Sequence, residues 1–219
     1  MRSKFITPKK DILLLNEEKV ARVIGIDEVG RGCWAGPVVV GGFVFDNKGY
    51  VKGVHDSKLL KKELREKASK KLQKYDYKIE IGDLETIDKI GIGKTIEGLM
   101  AKIVEYYRNK FGSLDTIFVI DGTFARNFGK DTKKVIKADS NYYSVASASV
   151  LAKVFRDSMM VNLHQNYPNY SFNINKGYAT KKHRMAISEL GICELHRKSF
   201  KPVYLQYLKD NQQMLDLNS

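Results

Sequence analysis

The chain has 219 residues, of which 43% are hydrophobic and 29% are charged, and this composition excludes a disordered or fibrous protein. Lys and Arg outnumber Asp and Glu by 38 to 25, and the resulting net charge of +13 favours a polyanionic partner such as nucleic acid. Two cysteines without a CxxC pair exclude a disulfide scaffold and a zinc ribbon, and no signal peptide or apolar span of about 20 residues is present, so we predict a cytoplasmic protein without membrane contact.

Hydrophobic patterning predicts strands and helices that are mixed along the chain. Apolar runs predict strands over residues 20–26, 37–45, 115–120 and 133–138, and the first two are close enough to form an antiparallel hairpin. Apolar residues at helical spacing predict helices over 60–75, 94–111, 144–160, 181–190 and 202–217. We therefore predict an α/β fold, with a mixed central β-sheet flanked by helices and a helical C-terminal segment. With no linker or repeat in sight, we predict one domain over 1–208 and a tail over 209–219.

The predicted helix over 144–160 carries small residues on one face. Ser144, Ala148 and Ala152 recur at helical spacing, and a face of this kind allows close packing on a sheet. We expect this helix to lie directly against the central strands.

Acidic residues follow three of the predicted strands. Asp27 and Glu28 follow the first, Asp121 the third and Asp139 the fourth. Taken singly, each is explained by turn chemistry, because Asp before a small residue commonly ends a strand. Together at one end of a sheet, four carboxylates would repel one another unless Mg²⁺ or Mn²⁺ held them, and two such ions about 4 Å apart suit phosphodiester hydrolysis. Adjacent residues of a regular strand point to opposite faces, so we expect the strand to break at Glu28.

The segment GIDEVGRGCWAGPVVVGG resembles the signature of bacterial ribonuclease HII, a type 2 ribonuclease H family. The resemblance continues in order with HDSKLL at 55–60, IDG at 120–122, KADSNYYSVASASVLAKVFRD at 137–157, NKGYATKKH at 175–183 and HRKSFKPV at 196–203. It implies an RNase H-like fold and an endonuclease that hydrolyses the RNA strand of RNA–DNA hybrids. It also implies cleavage 5′ of single ribonucleotides embedded in duplex DNA, which leaves a 3′-hydroxyl and a 5′-phosphate.

The resemblance also assigns site residues. The catalytic and metal-ligating carboxylates are then Asp27, Glu28, Asp121 and Asp139, with Mg²⁺ or Mn²⁺ as cofactor. The substrate-binding residues are Gly30, Arg31 and Gly32 in the loop that contacts the 2′-hydroxyl, and Tyr178 on the sugar at the RNA–DNA junction. The family usually has Pro-Leu where this chain has Cys33-Trp34, and the bulkier Trp34 alters that loop.

Charge adds three lysines to the substrate-binding residues, namely Lys58, Lys181 and Lys182. Residues 48–78 hold 11 Lys and Arg against 4 Asp and Glu, and residues 176–201 hold 7 against 2, so both are candidate phosphate-binding surfaces. A solvated helix face explains the first cluster equally well.

Other interpretations of these residues remain open from sequence alone. Core packing would explain Tyr178, and a plain turn would explain Gly30 and Gly32. Asp157 either forms a structural ion pair with Arg156 on the helix or lies near the metals.

The sequence fits three rival functions poorly and suggests one further partner. A non-catalytic nucleic-acid-binding module explains the net charge of +13 but not the acidic residues after three strands. The GIGKT segment at 91–95 lacks the first glycine of a P-loop, and the four histidines lack zinc-hydrolase spacing. Residues 212–217, QQMLDL, look like peptides that dock on a DNA sliding clamp, although the last turn of a packed helix has the same pattern. We expect a monomer.

Overall fold

The computed structural model describes residues 5–55, 57 and 60–217, and of residues 213–217 it describes the backbone alone. The chain divides into two compact units. The first unit is drawn from residues 1–29, 39–81 and 96–155, and the second from residues 30–38, 82–95 and 156–219. The predicted boundary between residues 208 and 209 stays a prediction.

A five-stranded mixed sheet forms the centre of the first unit. Its strands are β1 (Arg22–Val29), β2 (Val38–Phe45), β3 (Tyr77–Gly82), β4 (Thr116–Asp121) and β5 (Thr132–Val135). Across the sheet the order is β3-β2-β1-β4-β5. Strands β1 and β2 pair antiparallel, as predicted, whereas β4 is parallel to both β1 and β5. The central strands are apolar and buried, which is typical of strands covered on both faces.

Eight helices accompany the sheet in the described part of the chain. They are α1 (Lys9–Glu18), α2 (Lys62–Leu72), α3 (Leu84–Ile90), α4 (Ile92–Phe111), α5 (Tyr143–His164), α6 (Phe172–Asn175), α7 (Lys181–Leu190) and α8 (Lys201–Leu217). All five predicted helices are present, and the sequence patterns missed α1, α3, α6 and strand β3. Helix α8 continues without a break from the predicted domain into the predicted tail. None of these helices is both long enough and apolar enough to cross a membrane.

Helix α5 lies against the central strands with no side chain between the two backbones at two glycines. A Cβ on Gly25 of β1 would lie 2.2 Å from the backbone carbon of Ser144. A Cβ on Gly41 of β2 would lie 2.7 Å from the carbonyl oxygen of Ala148. Both distances are too short for any real Cβ, so only glycine permits this approach. The predicted close packing of the small-residue face is therefore confirmed.

The first turn of α5 is fixed by Asp11 of α1. This carboxylate is fully buried and accepts hydrogen bonds from the backbone N–H groups of Tyr143 and Ser144, at 2.7 and 3.1 Å. Such bonds satisfy donors that an α-helix leaves unpaired at its start. Burial raises the pKa of Asp11 above its usual range, although the hydrogen bonds to Ser144 and Tyr143 oppose that shift.

The second unit has a core of its own. Its buried residues come from the loop after β1, from the last part of α5 and from the chain beyond α5, and they are Ala35, Met160, Tyr170, Phe172, Ala186 and Ile187. Trp34 packs at the margin of this core, with its ring 6.4 Å from the ring of His183. The residue that departs from the family pattern therefore has a packing role within this unit.

The packing at Gly25 predicts a matched pair of glycine substitutions. We expect Gly25→Ala to lower the free energy of unfolding by about 3 kcal/mol, because the added methyl must displace backbone of α5. Gly98 in α4 has open space around its would-be Cβ, so Gly98→Ala should raise the stability by up to about 1 kcal/mol. Urea denaturation in the presence of a chelator measures both values. Equal effects of the two substitutions would contradict the packing argument.

Candidate active site

Three of the four predicted carboxylates lie together in the first unit. Oxygens of Asp27, Asp121 and Asp139 all lie within 4.8 Å of one another. Asp27 belongs to β1, and Asp121 is the last residue of β4, the parallel neighbour of β1. Ile26 pairs with Ile120 in that ladder, so the two aspartates follow at equivalent positions. The parallel pairing therefore explains why residues so distant in sequence share one edge of the sheet.

Asp139 lies near the other two aspartates, but it is not held at the end of a strand as predicted. The strand expected over 133–138 ends at Val135, and Asp139 lies instead in a single 3₁₀ turn, Ala138–Ser140. Lys137 precedes this turn in the left-handed conformation, with φ of 56°. The N–H of Ala138 donates to the carboxylate of Asp121 at 2.8 Å, which ties the turn to the end of β4.

Glu28 lies within the paired part of β1, so the predicted break of the strand at this residue is wrong. The strand continues to Val29, and Glu28 pairs with Val40 of β2. Consecutive side chains of a regular strand leave opposite faces, and Glu28 is not part of the group of three carboxylates. Its N–H donates to the Asp27 carboxylate at 2.8 Å. The assignment of Glu28 as a fourth metal ligand stays a prediction.

The three-carboxylate group disfavours negative charge on Asp27. Burial raises the pKa of Asp27 well above its usual range, and the charge of Glu28 raises it further. The charges of Asp121 and Asp139 act in the same direction, against a hydrogen bond with Ser149 that lowers the pKa. The hydroxyl of Ser149 is also 2.9 Å from that of Ser57. Without a cation, Asp27 therefore retains its proton at pH values at which an exposed aspartate is ionised.

The second unit begins with the segment that we call the glycine loop, residues 30–37. Gly30 is buried with φ of 89°, and a Cβ there would lie 2.2 Å from Nε of Arg156. Arg31 and Gly32 are exposed. Gly30 is therefore glycine for two reasons, backbone conformation and lack of space, whereas Gly32 has open space around it.

Two buried arginines hold the glycine loop by its carbonyl oxygens, and sequence patterns gave no signal of them. Arg156 and Arg197 are both 0% exposed. Their guanidinium groups donate to four carbonyls of the loop, those of Arg31, Ala35, Gly36 and Pro37, over 2.8–3.1 Å. Arg156 also donates to the carbonyl of Lys176, in the segment that precedes Tyr178. Arg156 therefore joins the loop to that segment.

Tyr178 is partly exposed within the second unit. The residue is 36% exposed, and the guanidinium of Arg156 lies 5.8 Å from its ring centre. Burial and the neighbouring Cys33 raise the pKa of Tyr178 to about 12, and the charge of Asp157 adds to that shift. Tyr178 is therefore not completely buried, and its role at the junction stays a prediction.

Two of the three predicted lysines lie in the described part of the chain. Lys181 and Lys182 are exposed in the first turn of α7, whose N-terminal cap is Thr180. Lys58 lies outside the described residues. The choice between an ion pair and a position near the metals for Asp157 remains open.

Known proteins resemble this chain over most of its length. The sequence model of the family described as Ribonuclease HII matches residues 24–203. The ribonuclease HII of Caldicellulosiruptor bescii is 38% identical over 180 residues, which cover 81% of this chain and 85% of that protein.

Two solved structures share the fold. A chain of the PCNA:RNase HII complex from Archaeoglobus fulgidus has a TM-score of 0.68 and 24% identity, over 80% of this chain and 93% of that one. Bst-RNase HIII in complex with Mn²⁺ has a TM-score of 0.61 and 18% identity, over 89% of this chain and 72% of that one. The predicted RNase H-like fold is thereby confirmed. Given the extent of the sequence match and a fold that gathers three carboxylates, the chain belongs to the ribonuclease HII family, the metal-dependent type 2 ribonucleases H that cleave the RNA strand of RNA–DNA hybrids.

Proposed function

We propose that this protein also cuts duplex DNA on the 5′ side of a single embedded ribonucleotide, and that every cleavage leaves a 3′-hydroxyl and a 5′-phosphate. The observation that carries the proposal is the group formed by Asp27, Asp121 and Asp139 in a protein with a net charge of +13. A module that only bound nucleic acid would gain nothing from carboxylates that repel both one another and a phosphate backbone.

The donor set suits a hard divalent cation. The described group offers carboxylate oxygens, which are the ligands that Mg²⁺ and Mn²⁺ prefer. We assign Asp27, Asp121 and Asp139, with Glu28 as the fourth carboxylate, to two such ions. Bst-RNase HIII, which shares the fold, has been solved in complex with Mn²⁺, and this favours a divalent cation as cofactor. When bound, the ions supply positive charge that lowers the pKa of the attacking water and stabilises the leaving oxygen.

The carboxylates of this chain do two things in such a reaction. They would hold the ions at one edge of the sheet, because β1 and β4 are paired by backbone hydrogen bonds and the N–H of Ala138 ties the Ala138–Ser140 turn to the Asp121 carboxylate. They also couple metal binding to a proton, because the raised pKa of Asp27 means that a cation displaces a proton from the group.

Recognition of the ribonucleotide is assigned to the second unit. Arg31 and Gly32 are exposed residues of the glycine loop, and we assign the backbone of this loop to bind a 2′-hydroxyl, which is the group that distinguishes RNA from DNA. The partly exposed ring of Tyr178 would pack on the adjoining sugar that lacks this hydroxyl. Lys58, Lys181 and Lys182 would contact phosphates. In this proposal the 2′-hydroxyl is recognised but does not attack the phosphorus, so the nucleophile is water.

Asp121→Asn tests the metal assignment. We expect cleavage of a hybrid at saturating Mg²⁺ to fall by at least about 100-fold, because a charged ligand is lost. The asparagine oxygen can still accept the hydrogen bond from Ala138, so the melting temperature in chelator should stay equal or rise as one repulsion is relieved. Glu105→Gln on the exposed face of α4 is the control and should be silent. Full activity of Asp121→Asn would refute the assignment.

Tyr178→Ala tests junction recognition. We expect it to slow cleavage at a single embedded ribonucleotide about 10-fold more than cleavage of a continuous hybrid, because the continuous substrate offers sites without a junction. Tyr178→Phe keeps the ring and should preserve the ratio of the two rates. Equal losses on both substrates would contradict the role of Tyr178, and a 2′,3′-cyclic phosphate end would contradict attack by water.

A DNA sliding clamp is proposed as a further partner, bound through residues 212–217. The assembly of the A. fulgidus relative with PCNA favours this proposal, and Gln212 at the start of the segment is exposed. Residues up to Asp210 are needed for packing, because Asp210 accepts hydrogen bonds from Ile192 and Gln206.

Truncation after Asp210 therefore separates docking from folding. We expect the shortened chain to cleave a short hybrid at the full rate and to lose binding to the clamp, measured by surface plasmon resonance. A lower melting temperature of the shortened chain, together with no measurable affinity of the full chain for the clamp, would favour the packed-helix alternative.

A further inference from the structure

Two buried histidines meet in the interior of the second unit, and the proposed catalysis uses neither. His183 of α7 and His196 are 0% and 1% exposed, and their Nε2 atoms lie 3.1 Å apart. Their rings also contact each other and that of Phe172. A pair of imidazoles joined in this way needs one nitrogen to donate and the other to accept.

The neighbours of the pair decide which nitrogen carries each proton. Nδ1 of His196 lies 2.9 Å from the backbone N–H of Cys193, and 3.2 Å from both the carbonyl oxygen and Sγ of that residue. The carbonyl oxygen of Tyr178 beside Nδ1 of His183 can only accept, so in a neutral pair the proton of His196 is on Nε2 and its Nδ1 accepts from the N–H of Cys193. Nε2 of His183 must then accept that proton's hydrogen bond, which leaves the proton of His183 on Nδ1. That Nδ1 lies 2.9 Å from the carbonyl oxygen of Tyr178 and donates to it. The result is a directed chain of three hydrogen bonds that ends on the backbone of Tyr178.

Both imidazoles are held neutral, which this chain of bonds requires. Burial lowers the pKa of His183 below its usual range. Burial and then the charge of His183 lower the pKa of His196 to about 4. A second proton on His183 would go to Nε2, face the N–H of His196 and break the central bond. A second proton on His196 would go to Nδ1 and break the bond from the N–H of Cys193 instead.

The backbone at Tyr178 is fixed by further bonds on the same segment. Its carbonyl also accepts from the N–H of Thr180 at 2.8 Å, and its own N–H donates to the carbonyl of Asn175 at 2.9 Å. Residues 176 and 177 both have positive φ, so the segment between α6 and α7 makes a tight turn just before Tyr178. The hydrogen bond from His183 to this carbonyl therefore helps to fix the position of the Tyr178 backbone, and with it the position of the ring.

Resting on the junction role proposed for Tyr178, we infer that His183 and His196 form a positioning pair for this tyrosine. The pair holds the Tyr178 backbone before substrate binds, so the ring needs no ordering when it packs on the sugar at the junction. Neither histidine touches the nucleic acid in this role. Their effect is on discrimination between substrates and not on the hydrolytic step itself.

Two isosteric substitutions of His183 separate positioning from simple packing. The amide nitrogen of asparagine can take the place of Nδ1, so His183→Asn keeps the donor to Tyr178. The amide of glutamine reaches the place of Nε2, so His183→Gln keeps the contact with His196 and loses that donor. We expect His183→Gln to lower the ratio of kcat/KM for an embedded ribonucleotide to that for a continuous hybrid by about 10-fold, and His183→Asn to preserve the ratio within about 2-fold. Parallel losses on both substrates in both variants would overturn the inference.

Combination with Tyr178→Ala separates failure of the inference from failure of the proposed function. If the pair acts through the tyrosine, His183→Gln has no further effect on the ratio in the Tyr178→Ala background. An unchanged ratio in Tyr178→Ala alone would refute the junction role. A lowered ratio in Tyr178→Ala with an unchanged ratio in His183→Gln would refute the positioning pair alone.

The protons themselves can be observed in the unmodified protein. We expect ¹⁵N-edited NMR of the full chain at neutral pH to show His183 protonated on Nδ1 and His196 on Nε2. The opposite tautomers, or a charged imidazole at either position, would overturn the inference even if a variant of His183 failed to fold.

Discussion

The close approach of α5 to the central strands governs the geometry of the carboxylate group. Gly25 and Gly41 place no Cβ between helix and sheet, so backbone meets backbone. Asp27 lies two residues beyond Gly25 on the same face of β1, which brings it to the hydroxyl of Ser149 on the helix. Asp139 lies just before the start of α5, which Asp11 fixes. The packing of α5 on the sheet therefore places Asp27 and Asp139, and the pairing of β4 with β1 places Asp121 beside them.

This packing has two physical effects on the carboxylates, and both act in the same direction. It gathers like charges, and it also removes them from water, so both effects raise the pKa of Asp27. Backbone N–H groups offset part of the cost, since that of Glu28 donates to Asp27 and that of Ala138 to Asp121. The repulsion and desolvation that remain favour binding of either a proton or a cation, and a divalent ion relieves all of the repulsions at once. The affinity for metal is thus a consequence of how the sheet and α5 are built.

The sequence predicted features that depend on local patterns. Apolar runs predicted four of the five strands. The fifth, β3, has the alternation Tyr77, Ile79, Ile81 that is typical of a strand, although no strand was predicted there. The 3₁₀ turn at Asp139 was missed because no pattern announces the left-handed Lys137 before it. Arg156, Arg197 and the histidine pair were missed for another reason. Charged residues are rarely fully buried, and the partners of these residues are mostly backbone carbonyls or residues without a spacing signature.

The parallel pairing of β1 with β4 also determines the stage of chain synthesis at which the three carboxylates can come together. During synthesis the β1–β2 hairpin emerges early, but one edge of β1 has no neighbour until β4 has been made. Closure of so long a loop is slow and opposed by chain entropy. Until the loop closes, the unpaired edge of β1 can form hydrogen bonds with other chains. Two of the three gathered carboxylates, Asp121 and Asp139, lie in or beyond β4. A nascent chain therefore lacks the means to cut nucleic acid until more than half of it has left the ribosome.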